Sequence, residues 1–115
     1  MEITTERRQD IVICRLEGEL DMYEAPNLHA KYKTMIERER AKGIILDLAK
    51  LTYLDSSGIG VLFQLYSDAK TKQTPFCLSG AAGMVQQLFK LSRMAAILPL
   101  QPDVLAALDA IRRQS

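Results

Sequence analysis

The residues best suited to chemistry lie in one short segment, Asp55-Ser56-Ser57-Gly58-Ile59-Gly60. It follows the apolar residues 51–54 and precedes apolar residues at helical spacing, so it lies where a strand gives way to a helix. Open α/β sheets tend to place their functional sites at such junctions. Asp, Ser and Gly all cap helices, and the unpaired N–H groups there favour an anion. Composition alone therefore favours a plain helix N-cap followed by close-packing glycines.

A serine in this segment is also a candidate phosphate acceptor. The helix dipole would stabilise the added charge, so the fold would hardly change. The phosphate would still add bulk and about two negative charges to an exposed surface. A partner that buries the bare hydroxyl would be expelled. The segment thus suits a switch that changes binding without refolding the protein.

The order of apolar segments along the chain predicts an α/β fold. We expect one domain over residues 1–115, with about five strands and four helices in the order β-β-α-β-α-β-α-β-α. The first two strands would form an antiparallel hairpin at the edge of an otherwise parallel sheet. Gly18-Glu19-Leu20-Asp21 is expected to break the second strand and Gly43 to stop the first helix. The predicted strands are 2–9, 11–16, 44–48, 76–78 and 97–100, and the helices begin near Pro26, after Asp55, near Met84 and after Asp103.

Composition and charge weigh against several classes of protein. Fifteen basic and fourteen acidic residues leave a formal charge of +1, whereas nucleic-acid binders carry a clear basic excess. No apolar run is long enough to span a bilayer and no signal peptide begins the chain, so we expect a cytoplasmic protein without membrane insertion. Cys14 and Cys77 lie in apolar runs, which predicts buried thiols rather than a disulfide or zinc site. We expect no metal and no cofactor.

Three kinds of enzyme or signalling domain fit the chain poorly. A serine hydrolase needs glycines on both sides of its nucleophile, but Asp55 lies two residues before Ser57, and the single histidine, His29, falls in a predicted helix. A dinucleotide site needs a third glycine beyond residues 58–60, and no Gly-Lys-Ser/Thr sequence exists. A phospho-aspartate receiver needs an acidic pair at the end of its first parallel strand. The corresponding strand of this chain ends without such a pair. Asp47 and Asp55 are interpreted as strand-end and capping residues.

Four segments together resemble one bacterial family. Residues 18–21 (GELD), 44–48 (IILDL), 51–62 (LTYLDSSGIGVL) and 85–92 (VQQLFKLS) are similar, in order and spacing, to STAS-domain anti-sigma-factor antagonists. The resemblance implies a non-enzymatic, partner-switching protein. In that family the unphosphorylated antagonist binds an anti-sigma factor that is also a serine kinase with a histidine-kinase-like ATPase fold. The kinase uses ATP to phosphorylate the antagonist and end the interaction, and a PP2C-type serine phosphatase restores it.

The resemblance also implies roles for residues. The acceptor serine directly after the aspartate is Ser56, and Ser57 would cap or orient the helix. The predicted partner-binding residues are Asp21, Asp55, Ser57, Gly58 and Ile59.

The chain departs from the family after the third helix, and a second role within the fold stays open. Relatives have Ser-Gly-Leu where this chain has Ser92-Arg93-Met94. Glycine favours a left-handed helix stop that Arg93 adopts only at a cost. The alternative function is that of a non-switching STAS subunit in a lipid or anion transporter or in a stress-sensing assembly.

Overall fold

The computed structural model describes residues 1–93 and 95–114, and these form a five-stranded sheet flanked by helices. The strands are β1 (Glu2–Arg8), β2 (Ile11–Leu20), β3 (Gly43–Leu54), β4 (Phe76–Ser79) and β5 (Leu100–Gln101). The helices are α1 (Ala25–Glu37), α2 (Ser56–Thr71), α3 (Gly83–Leu91) and α4 (Val104–Gln114), with a 3-10 turn at Ala95–Ile97. The strand order is β1-β2-β3-β4-β5; β1 is antiparallel to β2 and the other pairs are parallel. The predicted α/β fold, element order and antiparallel edge are confirmed.

The two faces of the sheet are covered unequally. Val12, Cys14 and Leu16 of β2 alternate onto the larger core, which α1, α2 and α3 cover. Ile11 and Ile13 point to the opposite face, where α4 packs over a smaller cluster. Both cysteines are buried free thiols, as predicted. Burial raises the pKa of the Cys14 thiol to about 12, so it stays protonated at neutral pH.

The central strand β3 is longer than the apolar run 44–48 that predicted it. Its pairing with β2 shifts twice, between Arg15 and Glu17 and between Gly18 and Glu19, and each time β3 carries one extra residue. Each bulge turns the following side chains of β3 back toward the core. The spacing of the buried leucines therefore changes from two to three along the strand. They are Leu46, Leu48, Leu51 and Leu54.

Two glycines that were expected to end elements lie inside or at the start of strands. Gly18 does not break β2, which continues to Leu20; its φ of 109° instead accommodates a register shift. Gly43 does not stop α1, which ends at Glu37. A Cβ on Gly43 would lie 2.8 Å from the Ile111 side chain, so this glycine lets α4 pack closely against the sheet. The expectation for Gly43 was wrong, and β2 ends within residues 18–21 but not at Gly18. The local sequence reveals neither a register shift between strands nor what packs against a glycine.

The predicted strand 97–100 is also wrong in its bounds. Ile97 lies in the 3-10 turn and is 58% exposed, and the strand is only Leu100–Gln101. Because Pro99 has no N–H to donate, regular pairing with β4 begins at Leu100. At the departure from the family, α3 ends at Leu91 and Arg93 is exposed, while Met94 lies outside the described residues.

One hydrogen bond ties α1 to α2. The Tyr32 hydroxyl donates to the Asp68 carboxylate at 2.7 Å, and the Lys72 ammonium lies 3.0 Å from the same carboxylate. The Tyr32 hydrogen bond and Lys72 hold the pKa of Asp68 below its usual value. Burial and the hydrogen bond to Asp68 raise the pKa of Tyr32. The bond therefore joins a neutral phenol to an ionised carboxylate at neutral pH.

We predict that Tyr32→Phe lowers the free energy of unfolding by about 1 kcal/mol at pH 7, because Asp68 loses its buried donor. A carboxyl whose pKa is lowered by folding stabilises the folded state above its unfolded pKa, and that contribution is lost as the pH falls through the folded value. The deficit of the variant should therefore shrink below a pH of about 4. Urea unfolding of wild type and Tyr32→Phe at neutral and acid pH measures this deficit. A deficit that stays constant with pH would contradict this role for Asp68.

Candidate functional site

The ends of β2 and β3 bring the two acidic segments of the sequence together. Leu20 and Leu54 are partners in the parallel ladder, and each is the last residue of its strand. Asp21 and Asp55 follow them directly, so both lie at the carboxyl edge of the sheet. This edge, with the turn into α1 and the first turn of α2, forms the candidate site.

Asp55 caps α2. Its backbone is extended, with φ −107° and ψ −171°, and its carboxylate accepts a hydrogen bond from the Gly58 N–H at 3.0 Å. Its carbonyl accepts from the Ile59 N–H at 3.0 Å. Ser57 lies inside the helix, so of the two roles implied for it the capping role is wrong, and orienting the helix stays a prediction. The cap is Asp55 because β3 stays extended through the preceding residue and the chain turns into the helix only after Asp55.

Gly58 sets how closely α2 approaches the sheet. It is buried, and a Cβ added to it would overlap the carbonyl oxygen of Leu20 and lie 3.1 Å from side-chain atoms of Leu20 and Leu54. Any side chain here would push the first turn of α2 away from the strand ends. Gly58 therefore supports the exposed surface from below and is not itself part of it.

Ser56 and Ser57 are exposed at the start of α2. The first turn of the helix contains no acidic residue, and its first N–H groups lack helical acceptors. An anion on Ser56 would therefore meet the positive end of the helix dipole. Ile59 is only half-buried and packs against the larger core.

Asp21 shapes the turn between β2 and α1. Its carboxylate accepts hydrogen bonds from the N–H groups of Tyr23 and Glu24, both at 3.0 Å. The turn presents Met22 and Tyr23 to solvent, 60% and 78% exposed. Sequence reasoning missed these two side chains, although large apolar residues in a polar turn were a visible signal. Such residues are enriched in protein interfaces.

A groove of about 410 Å³ separates α1 from α2 beside the serines. This α1–α2 groove is lined by Met22, Ala25, Pro26, His29, Ser57, Gly60, Val61 and Gln64. His29 is half-exposed and lies in a helix, as predicted for its position. The hydrogen bonds of the described residues include none between His29 and Ser56 or Ser57.

The other acidic residue weighed for chemistry, Asp47, has a structural role. It lies within β3 rather than at a strand end, with its carboxylate 3.5 Å from the Arg15 guanidinium and accepting from the Ala49 N–H. Among the described residues, no three His, Cys, Asp or Glu side chains are grouped to hold a metal ion. Within the same part of the chain, no helix has the length and apolar character needed to cross a membrane.

Comparisons with known proteins cover almost all of the chain. The family model described as STAS domain matches residues 2–107. An anti-sigma F factor antagonist of Paenibacillus polymyxa is 28% identical over 111 residues, covering 96% of this chain and 95% of that protein. An anti-sigma-B factor antagonist of Listeria monocytogenes is 30% identical over 99 residues, covering 84% and 83%. The fold is also that of the Bacillus cell fate determinant SpoIIAA in its phosphorylated form, with TM-score 0.68 and 23% identity over 99% of this chain and 100% of that one.

We predict that Asp55→Ala lowers the free energy of unfolding by about 1 kcal/mol, the usual loss when a helix N-cap is removed. Ser57→Ala is the matched control, since its exposed side chain makes no cap, and should change stability by less than about 0.5 kcal/mol. Chemical denaturation of both variants compares them directly. The reverse order of the two effects would show that Ser57 is the cap.

A separate prediction concerns Gly58. Gly58→Ala should cost about 1–3 kcal/mol, because the added methyl must displace either the Leu20 carbonyl or the helix. In a ¹⁵N correlation spectrum, the largest amide shifts should lie at the ends of β2 and β3 and in the first turn of α2. Unchanged stability with no shift at Leu20 would contradict the close approach.

Proposed function

The chain belongs to the STAS domain family, and from this we propose that it is an anti-sigma factor antagonist switched by phosphorylation of Ser56. Unphosphorylated, it binds an anti-sigma factor that is also a serine kinase, and phosphorylation ends that interaction. The single observation that carries the proposal is the exposed Ser56 at the first position of α2, directly after the capping Asp55.

The helix terminus explains how a phosphate can be added without unfolding the domain. The Asp55 carboxylate binds the Gly58 N–H, and the other first-turn N–H groups remain to face the new charge. Their attraction for an anion is worth about 0.3–1 kcal/mol at an exposed site. The modified form therefore keeps the fold of the unmodified one.

The same phosphate is poorly tolerated by a bound partner. A serine hydroxyl can be buried in an interface at the cost of one hydrogen bond, whereas a dianion must also lose its hydration. Asp21 and Asp55 already make this edge of the sheet acidic, and phosphorylation adds about two further negative charges. Loss of binding then follows from charge and desolvation at the interface alone.

Exposed apolar side chains beside Ser56 supply a surface that a partner can bury. Met22 and Tyr23 stand out from the turn that Asp21 holds, and Tyr53 is 37% exposed near the end of β3. Aromatic and methionine side chains are enriched in interface cores and dominate binding energy. They support the proposal that this edge contacts the anti-sigma factor.

In this proposal the chain is a substrate and does not act as an enzyme. The Ser56 oxygen attacks the γ-phosphorus of ATP, ADP leaves, and a base of the kinase takes the hydroxyl proton. A PP2C-type phosphatase then hydrolyses the phosphoserine with water and releases inorganic phosphate. A location in the cytoplasm, where ATP is available, is part of this proposal.

We predict opposite binding by two variants of Ser56. Ser56→Ala keeps a small uncharged side chain and should retain a histidine-kinase-like ATPase from a lysate of the source organism. Ser56→Asp adds a charge that the helix start tolerates, so it should fold normally yet lose that ATPase. Mass spectrometry of the retained proteins, together with the melting temperature of each variant, separates lost binding from lost folding.

Site-specific labelling completes this test. With ATP and the purified ATPase, wild type and Ser57→Ala should each gain one phosphate, and Ser56→Ala none. Phosphate on Ser57 instead would overturn the choice of acceptor. If both Ser56 variants retain the same transporter or assembly proteins, the chain is the non-switching subunit, and Ser56 is merely an exposed residue at the helix start.

A further inference from the structure

Packing within the domain does not require a glycine at position 60. It lies within α2, yet a Cβ added to it would have no atom of the described structure within 4 Å beyond its own helical turn and neighbours. Gly58 differs in this respect, because a Cβ added there would overlap Leu20. A helix is also less stable with glycine than with alanine, because glycine loses more conformational freedom on folding. The free domain would therefore be more stable with alanine at this position.

The position of Gly60 indicates what its missing side chain leaves open. Gly60 lines the α1–α2 groove together with Ser57. It follows Ser56 by four residues, so the two lie about 6 Å apart along the same face of α2. A protein that contacts the Ser56 hydroxyl therefore has the turn that contains Gly60 within reach, one helical turn away.

The groove differs in charge from the edge beside it. Asp21 and Asp55 make the sheet edge acidic, but no carboxylate, ammonium or guanidinium group is among the described residues that line the groove. His29 is the single titratable residue in that lining. Met22, Ala25 and Val61 provide apolar surface, and Gln64 provides an amide. Such a lining matches an uncharged segment of protein rather than a basic or acidic one.

We propose that the α1–α2 groove is a second contact point for the anti-sigma factor kinase, and that Gly60 lets the main chain of an uncharged kinase segment lie directly against α2. This inference rests on the proposed function, since its occupant is the same partner that binds at Ser56. The kinase then touches two separate surfaces: the acidic edge with the acceptor serine, and the neutral groove one helical turn away. Phosphorylation adds its charge at the first surface, whereas Gly60 serves the second.

We predict that Gly60→Ala separates stability from binding. The melting temperature should rise by about 3 °C, because alanine favours the helix and its methyl fits in open space. The dissociation constant for the purified ATPase recovered with the Ser56→Ala protein, measured by titration calorimetry with ADP present, should rise at least tenfold. A fold-stabilising substitution that weakens binding is the signature of a position kept open for a partner.

Ser67→Ala is the matched control, because Ser67 is an exposed residue of α2 that lies outside the groove. It should leave the dissociation constant unchanged. Equal binding by Gly60→Ala and wild type would overturn the groove contact and leave the Ser56 switch intact. A lower melting temperature for Gly60→Ala would show that the glycine serves the fold, and a change confined to self-association would assign the groove to a second copy. If no Ser56-dependent ATPase binds wild type, the proposed function and this inference both fail.

Discussion

The parallel pairing of Leu20 with Leu54 is the constraint on which the site depends. It ends two strands at the same level, so the turns that follow, one with Asp21 and one with Asp55, start side by side. Gly58 then lets the first turn of α2 settle onto the Leu20 carbonyl. Both leucines are buried in the larger apolar core beneath this edge. A shift of one residue in the β2–β3 register would separate the two acidic turns.

Hydrogen bonds at this edge distinguish the residues that hold the backbone in place from those whose side chains are exposed. The carboxylates of Asp21 and Asp55 are both engaged with backbone N–H groups, and they hold the turn and the helix start in place. The exposed residues at this edge include Ser56 and Ser57 and, in the turn before α1, Met22 and Tyr23. The acidic residues near Ser56, the proposed acceptor, are thus positioning groups first. In our proposal their charge also contributes to the electrostatic field that the partner meets.

The two glycines of α2 are alike in sequence and opposite in physical role. Gly58 is required because the Leu20 carbonyl lies against it, so an added methyl would lower the stability of the fold. Gly60 faces open space, and an added methyl there meets nothing in the free domain. Only the surroundings of each residue distinguish them. Gly58 is thus required by the sheet behind the helix, whereas in our proposal Gly60 is required by a partner in front of it.

The sequence alone determined the α/β class, the element order, the antiparallel edge and the junction at Asp55, because these depend on periodicity and composition within short windows. It left the cap open between Asp55 and Ser57, misjudged Gly18 and Gly43, and missed Met22 and Tyr23. Those outcomes depend on residues distant in sequence. Two bulges in β3 decide which leucines face the core and where the strand ends, and packing against α4 explains Gly43. Only the tertiary structure decided them, since register and close approach arise between elements rather than within one.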